Sequence, residues 1–158
     1  MNSTDQPVAP AHGNAPKVSD CSSTPPRLRC MVVDDDPIFQ GIIRIYLEEM
    51  GFPVAVADNG CAALKLCAQF KPNVVILDMF MPEKEGIETI PALKRIDPTL
   101  EILAISGGGV GDRDLCLKTA RLVGARHVLR KPFTCTQFAE ALTLTMSVAN
   151  RGTIAGSA

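Results

Sequence analysis

The sequence predicts an α/β protein built as a doubly wound, five-stranded parallel sheet. Short β-rich runs alternate with helical stretches of roughly 10–15 residues between Leu28 and Ala149, the pattern of parallel strands joined by crossover helices. The first, third and fourth runs are nearly continuous in apolar residues, as strands covered on both faces are. The 158 residues are 46% apolar and 21% charged, which suits one globular domain around one core.

Residues 1–27 hold five of the twelve prolines among Ser, Thr, Asn, Gly and Ala. Such a segment buries too little to offset its ordering entropy and reads as a disordered lead. The first strand is expected over Leu28 to Val33. In the helix that follows, Phe39, Ile42, Ile43, Tyr46, Leu47 and Met50 form one apolar stripe aimed at the sheet, with Pro37 in the opening turn and Gly51 at the end. A second strand over Pro53 to Ala57 precedes a helix opening at Asn59 and ending at Phe70. The third strand, Val74 to Leu77, leads to a helix from Gly86 to Ile96, whose Pro91 is expected to shift its start or bend it. The fourth strand, Glu101 to Ile105, is followed by a helix from about Asp112 to Val123, before Gly124. The fifth strand, His127 to Arg130, precedes a helix from Thr134 to about Ala149. This divides the chain into a lead (1–27), one folded domain (28–149) and a frayed tail (150–158).

A formal net charge of −1 argues against general affinity for nucleic acid or anionic lipid. Arg113, Lys118, Arg121, Arg126 and Arg130 read as a solvated basic face. The six cysteines show no C-x-x-C or zinc-like spacing and read as reduced, mostly buried apolar residues. No run approaches the roughly 18 apolar residues of a membrane span. The start lacks the basic and apolar regions of a signal peptide, so a cytoplasmic protein is expected.

Three carboxylates, Asp34, Asp35 and Asp36, stand directly after the first strand. Unit charges about 4 Å apart repel by roughly 1 kcal/mol in water and several-fold more beside a low-dielectric wall, so a positive group is expected among them. Side chains at strand ends meet at the carboxyl edge of an open α/β sheet, where such folds bind ligands. Asp78 follows the third strand, Ser106 the fourth and Lys131 the fifth. Each residue also has an ordinary reading: Asp35 or Asp36 as an N-cap ahead of Pro37, Ser106 as a turn residue, Lys131 as a solvated charge. Jointly they favour a site. Oxygen donors that leave room for water and phosphate suit Mg2+ better than Ca2+. Zinc would call for His or Cys, and the histidines are His12, in the lead, and His127.

Together the segments VVDDDP, LDMFMPEKEG, AISGGG and RKPF, in this order and spacing, resemble the receiver domain of two-component response regulators, of the stand-alone type, over residues 28–148. The resemblance implies a flavodoxin-like (βα)5 sandwich with strand order 2-1-3-4-5. It implies that Asp78 accepts a phosphoryl group from a sensor histidine kinase, a histidine phosphotransferase or a small phosphodonor. Asp35, Asp78 and the backbone carbonyl of Phe80 would hold Mg2+, with Asp34 acting largely through water, and Ser106 and Lys131 would contact phosphoryl oxygens. The Lys131–Pro132 peptide would be cis, and the first helix, with Ile38 and Ile45 off its core stripe, would dock the kinase. Phosphorylation would change affinity for a protein target through the fourth helix, fifth strand and fifth helix, without multiple-turnover catalysis.

Two departures from the family pattern stand out. Val128 occupies the place where such domains carry a switch aromatic, and His127 beside it reads as structural. Phe80, two residues past Asp78, offers no hydrogen-bonding side chain to orient water, nor does Gly108, so slow loss of phosphate is expected. The glycine-rich loop 107–111 fits neither nucleotide motif and reads as a mobile connection. The alternative is a haloacid-dehalogenase-like phosphatase with Asp34 as nucleophile and Asp36 as general acid. Against it, Ile38 replaces the usual Thr or Val, no second acidic pair follows Lys131, and no cap insertion is present. A receiver fold that has lost phosphorylation would lack part of the Asp34, Asp35, Asp78, Ser106, Lys131 set. Flavin binding would need a Ser/Thr-rich loop after the first strand. With no further domain read after residue 150, direct transcriptional control is not expected.

Overall fold

The computed structural model describes residues 27–81, 86–107 and 113–154, with side chains for all of these except 113–114, 116–117 and 148–154. The remainder of the expected lead, the glycine loop beyond Gly107 and residues 155–158 lie outside the described residues. Strands and helices alternate as β1 (Cys30–Val33), α1 (Pro37–Glu49), β2 (Val54–Ala57), α2 (Gly60–Phe70), β3 (Val74–Asp78), α3 (Gly86–Ile96), β4 (Glu101–Ser106), α4 (Arg113–Leu122), β5 (His127–Arg130) and α5 (Cys135–Ile154). All pairings are parallel, in the order β2-β1-β3-β4-β5, as the sequence implies.

Because side chains alternate across a strand, each central strand feeds two cores rather than the single one expected. Met31, Val33, Val75, Leu77, Ile102 and Ala104 face Ala63, Cys67, Ile90, Leu93 and Ala120 of α2, α3 and α4. Cys30, Val32, Val74, Ile76, Leu103 and Ile105 face Ile43 and Leu47 of α1 and Phe138 and Leu142 of α5. The strand order reverses between β1 and β3, and the crevice of an open sheet lies at such a point.

The helix ends are built from local chemistry. Asp36 caps α1, accepting from the N–H groups of Ile38 and Phe39, and Pro37 sits where no donor is needed. Asn59 caps α2 through the Ala62 N–H, 2.8 Å. At α5, Thr134 and Gln137 exchange hydrogen bonds, Gln137 N–H to Thr134 Oγ1 and Thr134 N–H to Gln137 Oε1. Just outside this capping box, Phe133 stacks on Phe138, the hydrophobic staple that fixes the entry angle of a helix.

Three further expectations are corrected. Ile42 and Met50 do not join the buried stripe of α1: they are 61% and 45% exposed. The buried arc centres on Ile43 and Leu47, and one residue step turns a helix by 100°, which carries Ile42 outward beside Ile38 and Ile45. The third helix opens at Gly86 with Pro91 inside it, the Gly86 N–H donating at 3.2 Å to the carbonyl of Met79, the residue after β3. The fifth helix runs on to Ile154, into the stretch expected to be a tail, since no proline interrupts its hydrogen-bond ladder. Of the cysteines described, Cys30 and Cys67 are buried but Cys61 and Cys135 are exposed, because the latter two sit in the opening turns of α2 and α5 rather than on strand or core faces. Burial pushes the Cys30 thiol up to about 12. No described helix is long and apolar enough to cross a membrane.

Candidate functional site

Parallel register brings the site together. Val33 pairs with Leu77, Asp78 with Ile105 and Ser106 with Arg130. The ladder then continues one rung past the strands: Asp34 N–H donates to Ala57 O, Met79 N–H to Ile105 O and Lys131 N–H to Ser106 O, at 3.2, 2.8 and 2.8 Å. Asp34, Asp78, Ser106 and Lys131 are therefore delivered to one edge by four strands in step.

Asp34, Asp78 and Ser106 are buried, and Asp35 is exposed beside them. The Lys131 ammonium reaches Asp34 Oδ2 at 2.9 Å and Asp78 Oδ1 at 3.1 Å. The second oxygen of each carboxylate accepts a backbone N–H, Asp36 onto Asp34 Oδ1 at 2.8 Å and Phe80 onto Asp78 Oδ2 at 3.0 Å. Burial pushes the Asp78 carboxyl above the ordinary carboxylate range; Asp34 adds to the rise, while Lys131 and the Phe80 N–H oppose it. Burial would lower the Lys131 ammonium, but its hydrogen bond to Asp34 and the charges of Asp78 and Asp34 prevail and hold it above the usual lysine value.

Carboxylate oxygens of Asp34, Asp35 and Asp78 lie within 4.8 Å of one another. Three carboxylates against one ammonium leave the edge short of positive charge by about the amount a divalent cation carries, and hard oxygen donors are the ligands such an ion selects. Ser106 Oγ is buried without a hydrogen-bond partner, a state that costs about 1–3 kcal/mol unless a partner arrives. Both observations fit a magnesium ion and an incoming oxyanion.

The structure thus gathers Asp34, Asp35, Asp78, Ser106 and Lys131, with Phe80 next to Asp78. Asp36 is occupied as the α1 cap, which removes it from the role of general acid in the phosphatase alternative. Val128 packs against the core on the α2–α4 side. Lys118, Arg121, Arg126 and Arg130 are exposed, as a solvated face requires.

Two contributors escape the sequence reading. The Gln40 amide donates to the carbonyls of Asp34 and Ala57, the latter at 3.0 Å, tying the acidic loop to β2. Its signal was a lone polar side chain on the buried arc of α1. Phe39, expected only to fill the core, lies with its ring centroid 3.8 Å from Lys131 Nζ.

Comparison with known proteins agrees with this geometry. The family model described as "Response regulator receiver domain" matches residues 30–143. The chemotaxis protein CheY of Thermotoga maritima is 30% identical over 115 residues, covering 72% of this chain and 93% of that protein. CheY of Bacillus subtilis is 30% identical over 120 residues, covering 75% and 98%. Among solved structures, a response regulator receiver domain protein from Clostridium thermocellum superposes with a TM-score of 0.70 at 28% identity, covering 80% of this chain and 98% of that one. The chain belongs to the response regulator receiver domain family.

Proposed function

We propose that the protein is a phosphoacceptor that takes a phosphoryl group onto Asp78 from a phosphohistidine partner and thereby changes its affinity for another protein. The observation carrying this reading is the buried, unpartnered Ser106 Oγ at the same sheet edge as a carboxylate already oriented by a lysine and a backbone N–H. The Asp78 carboxylate attacks phosphorus, an O–P bond forms, and the N–P bond of the donor breaks with its electron pair passing to the imidazole. Ser106 and Lys131 receive the phosphoryl oxygens, so the reaction rests on positioning and charge neutralisation. Asp34, Asp35, Asp78 and the Phe80 carbonyl would hold Mg2+, which supplies neutralisation of charge on the transferring group. Storage of one phosphoryl group, rather than repeated turnover, is the outcome.

The partner face follows from α1. Ile38, Ile42 and Ile45 are 73%, 61% and 58% exposed and recur at i, i+4 and i+7, one stripe of a helix. That stripe begins beside the acidic loop, so a helical donor lying along it carries its histidine toward Asp78. The responding face is α4, β5 and α5.

The deciding experiment incubates the protein with acetyl phosphate and Mg2+ and maps the adduct by mass spectrometry. Addition of one phosphoryl group on Asp78, absent in Asp78→Asn, is expected. An unmodified Asp78, or an adduct on Asp34, would overturn the reading.

A further inference from the structure

We propose that Phe39 is a positioning residue for Lys131, and that the row of rings it begins ties the position of this lysine to the packing of α1 on α5. The inference rests on the phosphoacceptor reading. An ammonium has three N–H donors. Lys131 directs two contacts to carboxylates, Asp34 at 2.9 Å and Asp78 at 3.1 Å. The third is the Phe39 ring face, 3.8 Å from its centroid, where the ring quadrupole attracts a cation. Loading of the site makes different demands on these three. Asp34 and Asp78 must share their oxygens with a metal or carry the phosphoryl group, whereas the ring is asked for nothing. Phe39 therefore keeps hold of the ammonium while the carboxylates change partners, and Lys131 turns toward a phosphoryl oxygen without leaving the site.

The ring is itself held by other rings. Phe39 meets Phe133 edge to face, 6.0 Å apart at 83°. Phe133 stacks on buried Phe138 at 5.8 Å and 18°, and Phe138 meets Tyr46 edge to face at 5.6 Å and 73°. The row leaves α1 at Phe39, passes through the start of α5 and returns to α1 at Tyr46, two turns further on. Aromatic pairs hold preferred geometries and close-packed interiors transmit displacement, so a shift of the ammonium is felt where α1 meets α5. On β5, the corresponding place is Val128, packed on the opposite face of the sheet. The state of the lysine thus reaches α5, one element of the responding face, by way of α1.

A core filler at Phe39 would tolerate leucine; a cation-holding face would not. Three measurements separate these roles. In NMR spectra of the full chain without phosphodonor, the Lys131 ε-methylene protons should be displaced upfield by the ring and return to the ordinary lysine position in Phe39→Leu. Modification of Asp78 by acetyl phosphate should slow about tenfold in Phe39→Leu and recover in Phe39→Tyr, which keeps the face. Beryllofluoride with Mg2+ should move the Tyr46 ring signals in wild type and move them much less in Phe133→Leu. Undisplaced ε-protons, a leucine variant as fast as wild type, or an undiminished Tyr46 response would each overturn the proposal. Should Phe39→Leu fail to fold, the wild-type ε-proton position and the Tyr46 response decide. Wild type left unmodified at Asp78 would overturn the phosphoacceptor reading and this role with it, whereas a fast leucine variant beside modified wild type overturns this role alone.

Discussion

At the scale of residues, Asp78 bears two opposed requirements. It must be buried to be shielded and held, and it must be charged to attack. Its raised carboxyl, caused first by burial, means that the folded state binds more protons than the unfolded one between the ordinary value of 3.8 and the raised value. Stability of the wild type therefore falls as pH rises through that window. Asp78→Asn removes the titration, so without Mg2+ its stability should fall less than that of wild type between acid and neutral pH. The difference between the two proteins should therefore shrink toward acid pH, where the wild-type carboxyl is protonated in both folded and unfolded states. Thermal melts at acid and neutral pH check this; an equal change of Tm with pH in the two proteins would contradict it. Phe80, 43% exposed, gives a second test at this scale. It holds Asp78 through its N–H but offers no side-chain group to aim water, so Phe80→Asn should shorten the aspartyl-phosphate half-life by about tenfold, an effect of roughly 1.4 kcal/mol. An equal half-life would show that the side chain at position 80 does not set the rate of water attack.

At the scale of elements, β1, β3 and β4 were legible because a strand buried on both faces leaves an unbroken apolar run, and each of these three runs leads into a residue of the site. The extra residues of β3 and β4, Asp78 and Ser106, were read as following the strands because their side chains are polar; the ladder includes them because their backbones still pair. Helix α1 was legible in length and less so in orientation, since isoleucines lie on both of its sides and periodicity alone does not say which side meets the sheet. The close approach of α3 to β3 left no periodic signal. A Cβ on Gly86 would lie 2.7 Å from the Asp78 carbonyl oxygen and 2.8 Å from Met79 Cα, backbone atoms that cannot rotate away. Gly86→Ala should cost about 1–3 kcal/mol by overpacking and slow modification of Asp78, despite the better helix propensity of alanine. Gly41 lies inside α1 with nothing within 4 Å of its would-be Cβ, so Gly41→Ala should instead stabilise by about 0.5–1 kcal/mol. Denaturant unfolding of the two variants should give opposite signs, and a shared sign would show that propensity rather than contact governs both.

At the scale of the whole molecule, a net charge of −1 over 158 residues means that the protein has little overall field, and the acidic strain is confined to one edge. The sequence located that edge because its charges adjoin strand ends; it could not show Gln40 bracing the loop or Phe39 receiving the ammonium, which depend on how α1 is turned against the sheet. Confinement has a measurable consequence. The Debye length is about 8 Å at physiological ionic strength, longer than the 4.8 Å within which the three carboxylates gather, so monovalent salt does little to relieve them. A bound divalent ion does, and binding only to the folded state stabilises by RT ln(1 + [L]/Kd). MgCl2 at ten times its Kd should therefore add about 1.4 kcal/mol, or roughly 3–6 °C in Tm. NaCl of equal ionic strength should give little change, and EDTA should reverse the gain. Asp35 is the exposed member of the cluster, so Asp35→Asn should fold normally yet lose most of the magnesium response. Equal responses of wild type and Asp35→Asn would place the ion elsewhere, and equal responses to the two salts would reduce the effect to screening.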